Sequence, residues 1–180
     1  MLEQRIQRQF FESADLQYQA AEALARPVAQ AAESVIGAFT SGASLLVCGQ
    51  EGGQSLARHA AHVLLGQLER QRPPLAALAI EADPRAIQAL GQPGGVLLIV
   101  DPLARATEAE MTLIGAAHDK DMSVILLAGR DAGALSETLS ESDVLIAVPH
   151  ERVMRVLEVQ LLVLHALCDA VDVQLMGEQE

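Results

Sequence analysis

The chain has 180 residues, of which 51 % are hydrophobic and only 2 % aromatic, and it carries a formal net charge of −12. This length suits a single domain with an aliphatic core, and the acidic balance argues against direct binding to nucleic acid, which needs cationic side chains. No apolar run reaches about 20 residues and the N-terminus lacks a signal-peptide pattern, so we expect a soluble cytoplasmic protein with no membrane partner.

Five short apolar segments are predicted to form the strands of one sheet. Each is a continuous apolar run, which is typical of parallel strands buried on both faces. Helical patterns separate them, and this alternation predicts a doubly wound, mainly parallel, flavodoxin-like α/β sheet with right-handed crossovers. The predicted strands cover residues 44–49, 75–80, 96–101, 123–129 and 144–149, and the helices between them cover residues 53–69, 84–90, 107–118 and 131–139.

Two long helical regions bracket this core. Pro27 is predicted to start a second segment within the first region, because proline fits the first turn of a helix better than its interior. In the last region, residues 159–173 are apolar on almost every side, and a helix of that kind must be buried all round. A second subunit is therefore predicted to cover it. The predicted organisation is one domain over residues 1–180, with N-terminal helices at 1–40, an α/β core at 44–149 and a C-terminal oligomerisation helix at 151–176.

The turn after the first strand is the candidate ligand cradle. In open α/β sheets ligands bind beyond the carboxyl ends of the strands, and here the sequence CGQEGGQS (residues 48–55) leads into a helix. Its glycines let backbone N–H groups approach an anion at the helix N-terminus. The alternative is that they only permit a tight turn. The pattern fits neither the dinucleotide fingerprint nor the P-loop, so no cofactor is predicted.

Six collinear segments carry a resemblance to a known family. They are FFESADLQYQAAEAL (10–24), VCGQEGGQSLARHAAHVL (47–64), GGVLLIVD (94–101), MSVILLAGRDAGAL (122–135), IAVPH (146–150) and HALCDAVDVQLM (165–176). Together they resemble the sugar isomerase (SIS) domain family, which includes the phosphoheptose isomerases and the DnaA initiator-associating protein DiaA. The resemblance covers nearly the whole chain and implies the same fold.

The resemblance also implies a sugar-phosphate cradle, but a degenerate one. Isomerases of the family have a serine where this chain has Gly53 and a hydroxyl-rich second loop where it has DPLARA (101–106). Carboxylates about 6 Å from a phosphate would each repel one of its charges by roughly 3 kcal/mol at an effective dielectric near 20, and Arg105 is the residue that could offset this. The cradle positions are Gly49, Gln50, Glu51, Gly52, Gly53, Ser55, Asp101 and Arg105.

The catalytic positions that the resemblance implies are also changed. The family's general base, a glutamate on the helix after the first turn, is matched to His62, and its partner histidine on the last helix is matched to Gln160. His59 and His62 lie one helical turn apart, which suits metal ligands, but no third ligand accompanies them in the sequence. We therefore predict no catalytic residue, no metal site and the loss of isomerase activity.

The predicted function is that of a non-catalytic adaptor, as in DiaA, which binds the replication initiator DnaA as a homotetramer. The resemblance places the DnaA contact at Leu175 and Met176, near the end of the last helix. The alternative for this pair is that both residues simply cap the subunit core. The alternative function is a sedoheptulose 7-phosphate isomerase or a sensor that binds a sugar phosphate.

Overall fold

The structure, a computed structural model, describes residues 1–66, 71–130 and 132–177. Its centre is a five-stranded sheet in which every neighbouring pair of strands is parallel. The strand order is β2-β1-β3-β4-β5, the flavodoxin-like order, which confirms the predicted doubly wound fold. The strands are β1 (Leu45–Gly49), β2 (Ala77–Ala79), β3 (Val96–Asp101), β4 (Ser123–Ala128) and β5 (Val144–Ala147).

In the described part of the chain, five α-helices surround the sheet in two layers. Side chains alternate along each strand, so that Leu45 and Val47 of β1 pack with α1, α2 and α5, whereas Leu46 and Cys48 pack with α3 and α4. This alternation follows from the two-residue period of a strand. The helices are α1 (Leu2–Thr40), α2 (Gln54–Leu65), α3 (Pro84–Leu90), α4 (Glu108–His118) and α5 (Val153–Met176).

Two predicted helical segments differ from the structure. Helix α1 runs through Pro27 without interruption, because its buried stripe, which includes Leu24, Val28 and Val35, continues across the proline. Packing of that stripe outweighs the cost of about 3 kcal/mol for proline inside a helix. The helix predicted at 131–139 begins outside the described residues, and within its described part a 3₁₀ helix forms at Gly133–Thr138.

The turn from β1 to α2 is unusually close to the neighbouring strand. The N–H of Gln50 donates to the carbonyl of Val100 on β3 at 2.9 Å. A Cβ atom on Gly53 would lie only 2.1 Å from that same carbonyl oxygen. Glycine is thus required at position 53 so that the start of α2 can pack directly on β3.

None of the helices in the described ranges is both long and apolar enough to cross a membrane.

Candidate active site

Two loops meet at the carboxyl edge of the sheet. Residues 50–53 follow β1 and residues 102–106 follow β3, and these strands are hydrogen-bonded neighbours whose connections leave in opposite directions. This is the switch point of a doubly wound sheet, where ligands of such folds bind.

Both loops hold residues in a strained backbone conformation. Glu51, Ala104 and Ala106 have φ values of 48°, 47° and 55°, in the left-handed region that non-glycine residues seldom adopt. The described residues contain only one other non-glycine of this kind, Asp121. Such positions cost about 1–3 kcal/mol each and persist where the surrounding structure fixes them, often at functional sites.

Arg105, on the second of these loops, brings a positive charge to the same edge of the sheet. Its Nη1 lies 3.5 Å from Oε1 of Glu51, and both side chains are more than half exposed. An exposed pair of this geometry is weak, so an anionic ligand can replace Glu51 as the partner of Arg105. The first turn of α2 lies at the same edge of the sheet. No side chain caps it, so none of its N–H groups donates to a capping side chain. Ser55 lies in that turn, and its hydroxyl donates to the carbonyl of Gly52 at 3.4 Å.

Asp101 is turned away from Arg105. Its side chain is fully buried, its Oδ1 accepts from the N–H of Leu103 at 3.0 Å, and its Oδ2 has no hydrogen-bond partner in the described part of the chain. Burial and the neighbouring Asp101 raise the pKa of Glu110 on α4, so a proton on Glu110 can serve that oxygen. Asp101 therefore opposes a bound phosphate less than the sequence suggested.

A pair of histidines joins α2 to α5. Nε2 of His59 lies 2.7 Å from Nε2 of His165, a hydrogen bond in which the tautomers decide which ring donates. The rings meet edge to face, with centroids 5.0 Å apart and an interplanar angle of 62°. Desolvation, followed by the charges of His165 and His62, lowers the pKa of His59 from 6.5, so its imidazole is neutral at pH 7.

The residues chosen from the resemblance do not form this pair. Gln160 is fully buried and its Nε2 donates to the carbonyl of Leu127 on β4 at 3.0 Å, so it binds the sheet, whereas His165 contacts His59. His62 is exposed. The contact between His59 and His165 is not predicted from the sequence. His165 follows Gln160 by five residues and therefore lies on a different side of α5.

The predicted partner site, Leu175 and Met176, lies at the end of α5. Leu175 packs against the core cluster of α1, α2 and α5, as in the alternative in which it caps the core, whereas Met176 is 43 % exposed. Within the described residues no group of three or more His, Cys, Asp or Glu side chains is arranged to hold a metal ion.

The chain is similar over its whole length to known isomerases. It is 48 % identical to the phosphoheptose isomerase of Methylibium petroleiphilum, with 100 % of this chain and 98 % of the relative covered. The structure of phosphoheptose isomerase GmhA from Neisseria gonorrhoeae superposes with a TM-score of 0.86 at 30 % identity, over 96 % of this chain and 99 % of that one. That of a phosphoheptose isomerase from Francisella tularensis gives 0.88 at 28 %, over 96 % and 98 %. No protein-family model matches the sequence.

These relatives overturn two predictions and confirm a third. The predictions of a non-catalytic DnaA adaptor and of a protein without enzyme activity are wrong, because the full-length relatives are isomerases. The changed side chains of the cradle were interpreted as a loss of function, although the two loops still meet at the carboxyl edge of the sheet. The predicted resemblance to SIS-domain isomerases is confirmed: this chain belongs to the phosphoheptose isomerase family.

Proposed function

We propose that this protein is an aldose–ketose isomerase that acts on a phosphorylated seven-carbon sugar such as sedoheptulose 7-phosphate. The observation that carries the proposal is the contact between His59 and His165, because isomerisation needs a base and an acid that act on neighbouring carbon and oxygen atoms. The two imidazoles can supply both roles.

The proposed reaction moves protons only. Neutral His59 takes a proton from C1 of the ketose, while His165 donates a proton to the carbonyl oxygen at C2, which gives a 1,2-enediol. His59 then returns its proton to C2, and His165 takes the proton of the C1 hydroxyl, which leaves the aldose carbonyl at C1. In the structure the two rings bond to each other, and the substrate would enter between them.

The phosphate is proposed to bind at the start of α2. His59 follows Gly53 by six residues, which is about 9 Å along a helix axis, a separation that suits the length of an extended seven-carbon chain. The uncapped N–H groups of the first turn attract an anion, and Arg105 adds a positive charge. These groups take the place of the hydroxyls that the second loop lacks.

Activity is expected to decline below pH 6.5. His59 must be neutral to act as a base, and its pKa is lowered from 6.5, so the acid limb of kcat/KM lies below that value. His62→Gln removes one of the charges that lower the pKa of His59, so the acid limb of the profile should shift to higher pH. Rate profiles of both proteins between pH 5 and 8 test this, and an acid limb above pH 6.5 in the wild type would contradict it.

Turnover of ketose phosphates of five, six and seven carbons tests the proposed function itself. We expect the seven-carbon substrate to have the highest kcat/KM, because only its length connects the start of α2 with His59. Binding of the same compounds is measured in parallel by calorimetry. Binding without turnover would favour the alternative of a sugar-phosphate sensor. The absence of both binding and turnover would reject the isomerase and the sensor alike.

We further propose that the protein is a homo-oligomer, most simply the tetramer predicted from the sequence. An apolar groove of about 420 Å³ runs between α1 and α5, lined almost entirely by Ala, Val and Leu side chains. Leu2, Ile6 and Phe10 continue the core-facing stripe of α1 at four-residue spacing, yet each is more than half exposed. Water contact with so much aligned apolar surface is unfavourable, and a second copy of the chain supplies a matching surface.

Two aspartate substitutions on α5 distinguish this interface from the core. Leu162, which lines the groove, is 45 % exposed, whereas Leu164 is 1 % exposed. Leu162→Asp should therefore dissociate the oligomer and leave the subunit folded, while Leu164→Asp should unfold it, because a buried unpaired charge costs several kcal/mol. Light scattering and circular dichroism provide the two readouts. A wild-type mass of 19.1 kDa at micromolar concentration would reject the oligomer.

A further inference from the structure

Arg72 forms a buried link between α2 and α5. Only 2 % of its side chain is exposed, and its Nε donates to Oδ1 of Asp172 on α5 at 2.6 Å. Its Nη2 donates to the carbonyl of Val63 at 3.0 Å and its Nη1 to the carbonyl of Leu64 at 2.8 Å. One guanidinium group therefore contacts the last turn of α2 and the side of α5.

The chemistry of a helix end explains why an arginine suits this position. The last carbonyls of a helix lack intrahelical partners, and positive charge is favoured there by the helix dipole. A guanidinium presents several donors in one rigid plane, so it can serve two carbonyls and a carboxylate together. A lysine ammonium is a compact charge that cannot reproduce this geometry.

The link lies close to the histidine pair. Val63 follows His59 by four residues, about one turn of α2, and Asp172 follows His165 by seven, about two turns of α5. Residues at these spacings share a face of a helix. The Arg72 contacts therefore join the same faces of α2 and α5 that carry His59 and His165.

The histidine contact cannot by itself hold the helices in register. It is an exposed hydrogen bond between two side chains, and water competes with such bonds, so their net contribution is small. The Arg72–Asp172 pair is largely buried, with side-chain exposures of 2 % and 13 %, and bonds to charged groups are stronger and more directional. The register of the two helices is thus fixed more firmly at Arg72 than at the histidines.

We propose that Arg72 and Asp172 are positioning residues for the His59–His165 pair: they hold the end of α2 against α5 and so set the distance between the proposed base and acid. The consequence for turnover rests on the proposed isomerase function. The consequence for the histidine contact does not, and it can be measured in the absence of substrate.

The test compares three variants of the full chain. Asp172→Ala removes the carboxylate that accepts from Nε of Arg72, whereas Asp172→Asn keeps an oxygen at the same place and removes only the charge. Leu135→Ala is the matched control for loss of stability, because Leu135 is 1 % exposed in the core cluster on the opposite face of the sheet. Thermal unfolding shows how far each variant is destabilised.

The first readout is an NMR titration of the histidine rings. In the wild type, His59 should titrate below 6.5 and show coupling to His165. In Asp172→Ala the pKa of His59 should rise toward 6.5, because separation of the helices lets water reach His59 and moves the like charge of His165 away. Asp172→Asn and Leu135→Ala should both retain the wild-type titration.

The second readout is turnover of sedoheptulose 7-phosphate. Asp172→Ala should lower kcat by about 10- to 100-fold, the effect of misplacing reacting groups by an ångström or so, while KM changes less than about threefold. Asp172→Asn should restore most of the rate, and Leu135→Ala should keep it.

The outcomes separate the two proposals. A shifted titration of His59 in Asp172→Ala supports the positioning role, even if the wild type turns over no heptose phosphate and the isomerase function fails. An unchanged titration overturns the positioning role, even in an active enzyme. An Asp172→Asn variant with wild-type thermal stability but the His59 titration of Asp172→Ala would also overturn it, because the charge of Asp172 and not its hold on α2 would then be the cause.

Discussion

His165→Gln is expected to lower kcat for the heptose phosphate by about 10²- to 10⁴-fold, the range that general acid–base catalysis contributes. Glutamine occupies similar space but cannot exchange a proton at neutral pH, so the partner of His59 is lost. KM should change little, because the proposed phosphate site lies about 9 Å away at the start of α2. Steady-state kinetics with the purified variant give both constants.

His62→Gln is the matched control for this experiment. His62 lies on the same helix as His59 but is exposed and does not contact His165 in the structure, so its removal should leave kcat within about tenfold at pH 7.5. Equal rates for wild type and His165→Gln would remove His165 from the mechanism. A larger loss in His62→Gln than in His165→Gln would move the proposed acid to His62.

Gly53→Ala is expected to have the second large effect. The φ of Gly53 is −76°, which any residue can adopt, so the effect is purely steric. The new methyl group would lie 2.1 Å from the carbonyl oxygen of Val100 and 2.9 Å from its carbon, and backbone in the centre of a sheet cannot yield as a side chain can. We expect a loss of about 3 kcal/mol in the free energy of unfolding, at the upper end for an overpacked site.

Gly52→Ala provides the matched control next to it. A methyl group there would meet Cδ1 of Leu157 at 3.3 Å, and a leucine side chain can shift by a few tenths of an ångström. We expect a loss well under 1 kcal/mol, as for ordinary exposed positions. Urea unfolding of both variants measures the difference. Equal stabilities would show that the start of α2 can move away from β3, and that the cradle is not fixed by this contact.

The sequence was sufficient to predict the sheet because its strands are buried on both faces. The predicted strand at residues 96–101 agrees with β3 at both ends, since a central strand has apolar neighbours along its whole length. β2, at the edge, is shorter than predicted, with three residues, Ala77–Ala79, because an edge strand pairs on one side only. The helix at residues 84–90 was also predicted at both ends, because Asp83 and Pro84 form a clear N-terminal signal.

The candidate site was harder to predict because it depends on packing between distant segments. His59 and His165 are 106 residues apart, and their contact depends on the angle at which α2 and α5 pack on the sheet. Gln160 matched the family position by local alignment, but it belongs to the buried face that also contains Val156 and Val163. The periodicity of that face already separates Gln160 from His165.

The strained loops left no signal in the sequence either. A positive φ is usually revealed by glycine, yet Glu51, Ala104 and Ala106 adopt it here. Loss of the family's hydroxyls was interpreted as loss of the site, although backbone N–H groups and one arginine are sufficient to bind an anion. Side-chain substitution was therefore a poor guide to whether the loop geometry had changed.

Incubation with sedoheptulose 7-phosphate in D₂O, followed by proton NMR, tests the central claim most directly. Proton transfer by His59 and His165 through an enediol predicts both the appearance of aldose and the replacement of protium by deuterium at C1 of the ketose. Both signals should be absent from the His59→Gln, His165→Gln double variant. A wild-type protein that binds the sugar phosphate but shows neither interconversion nor exchange would contradict the account.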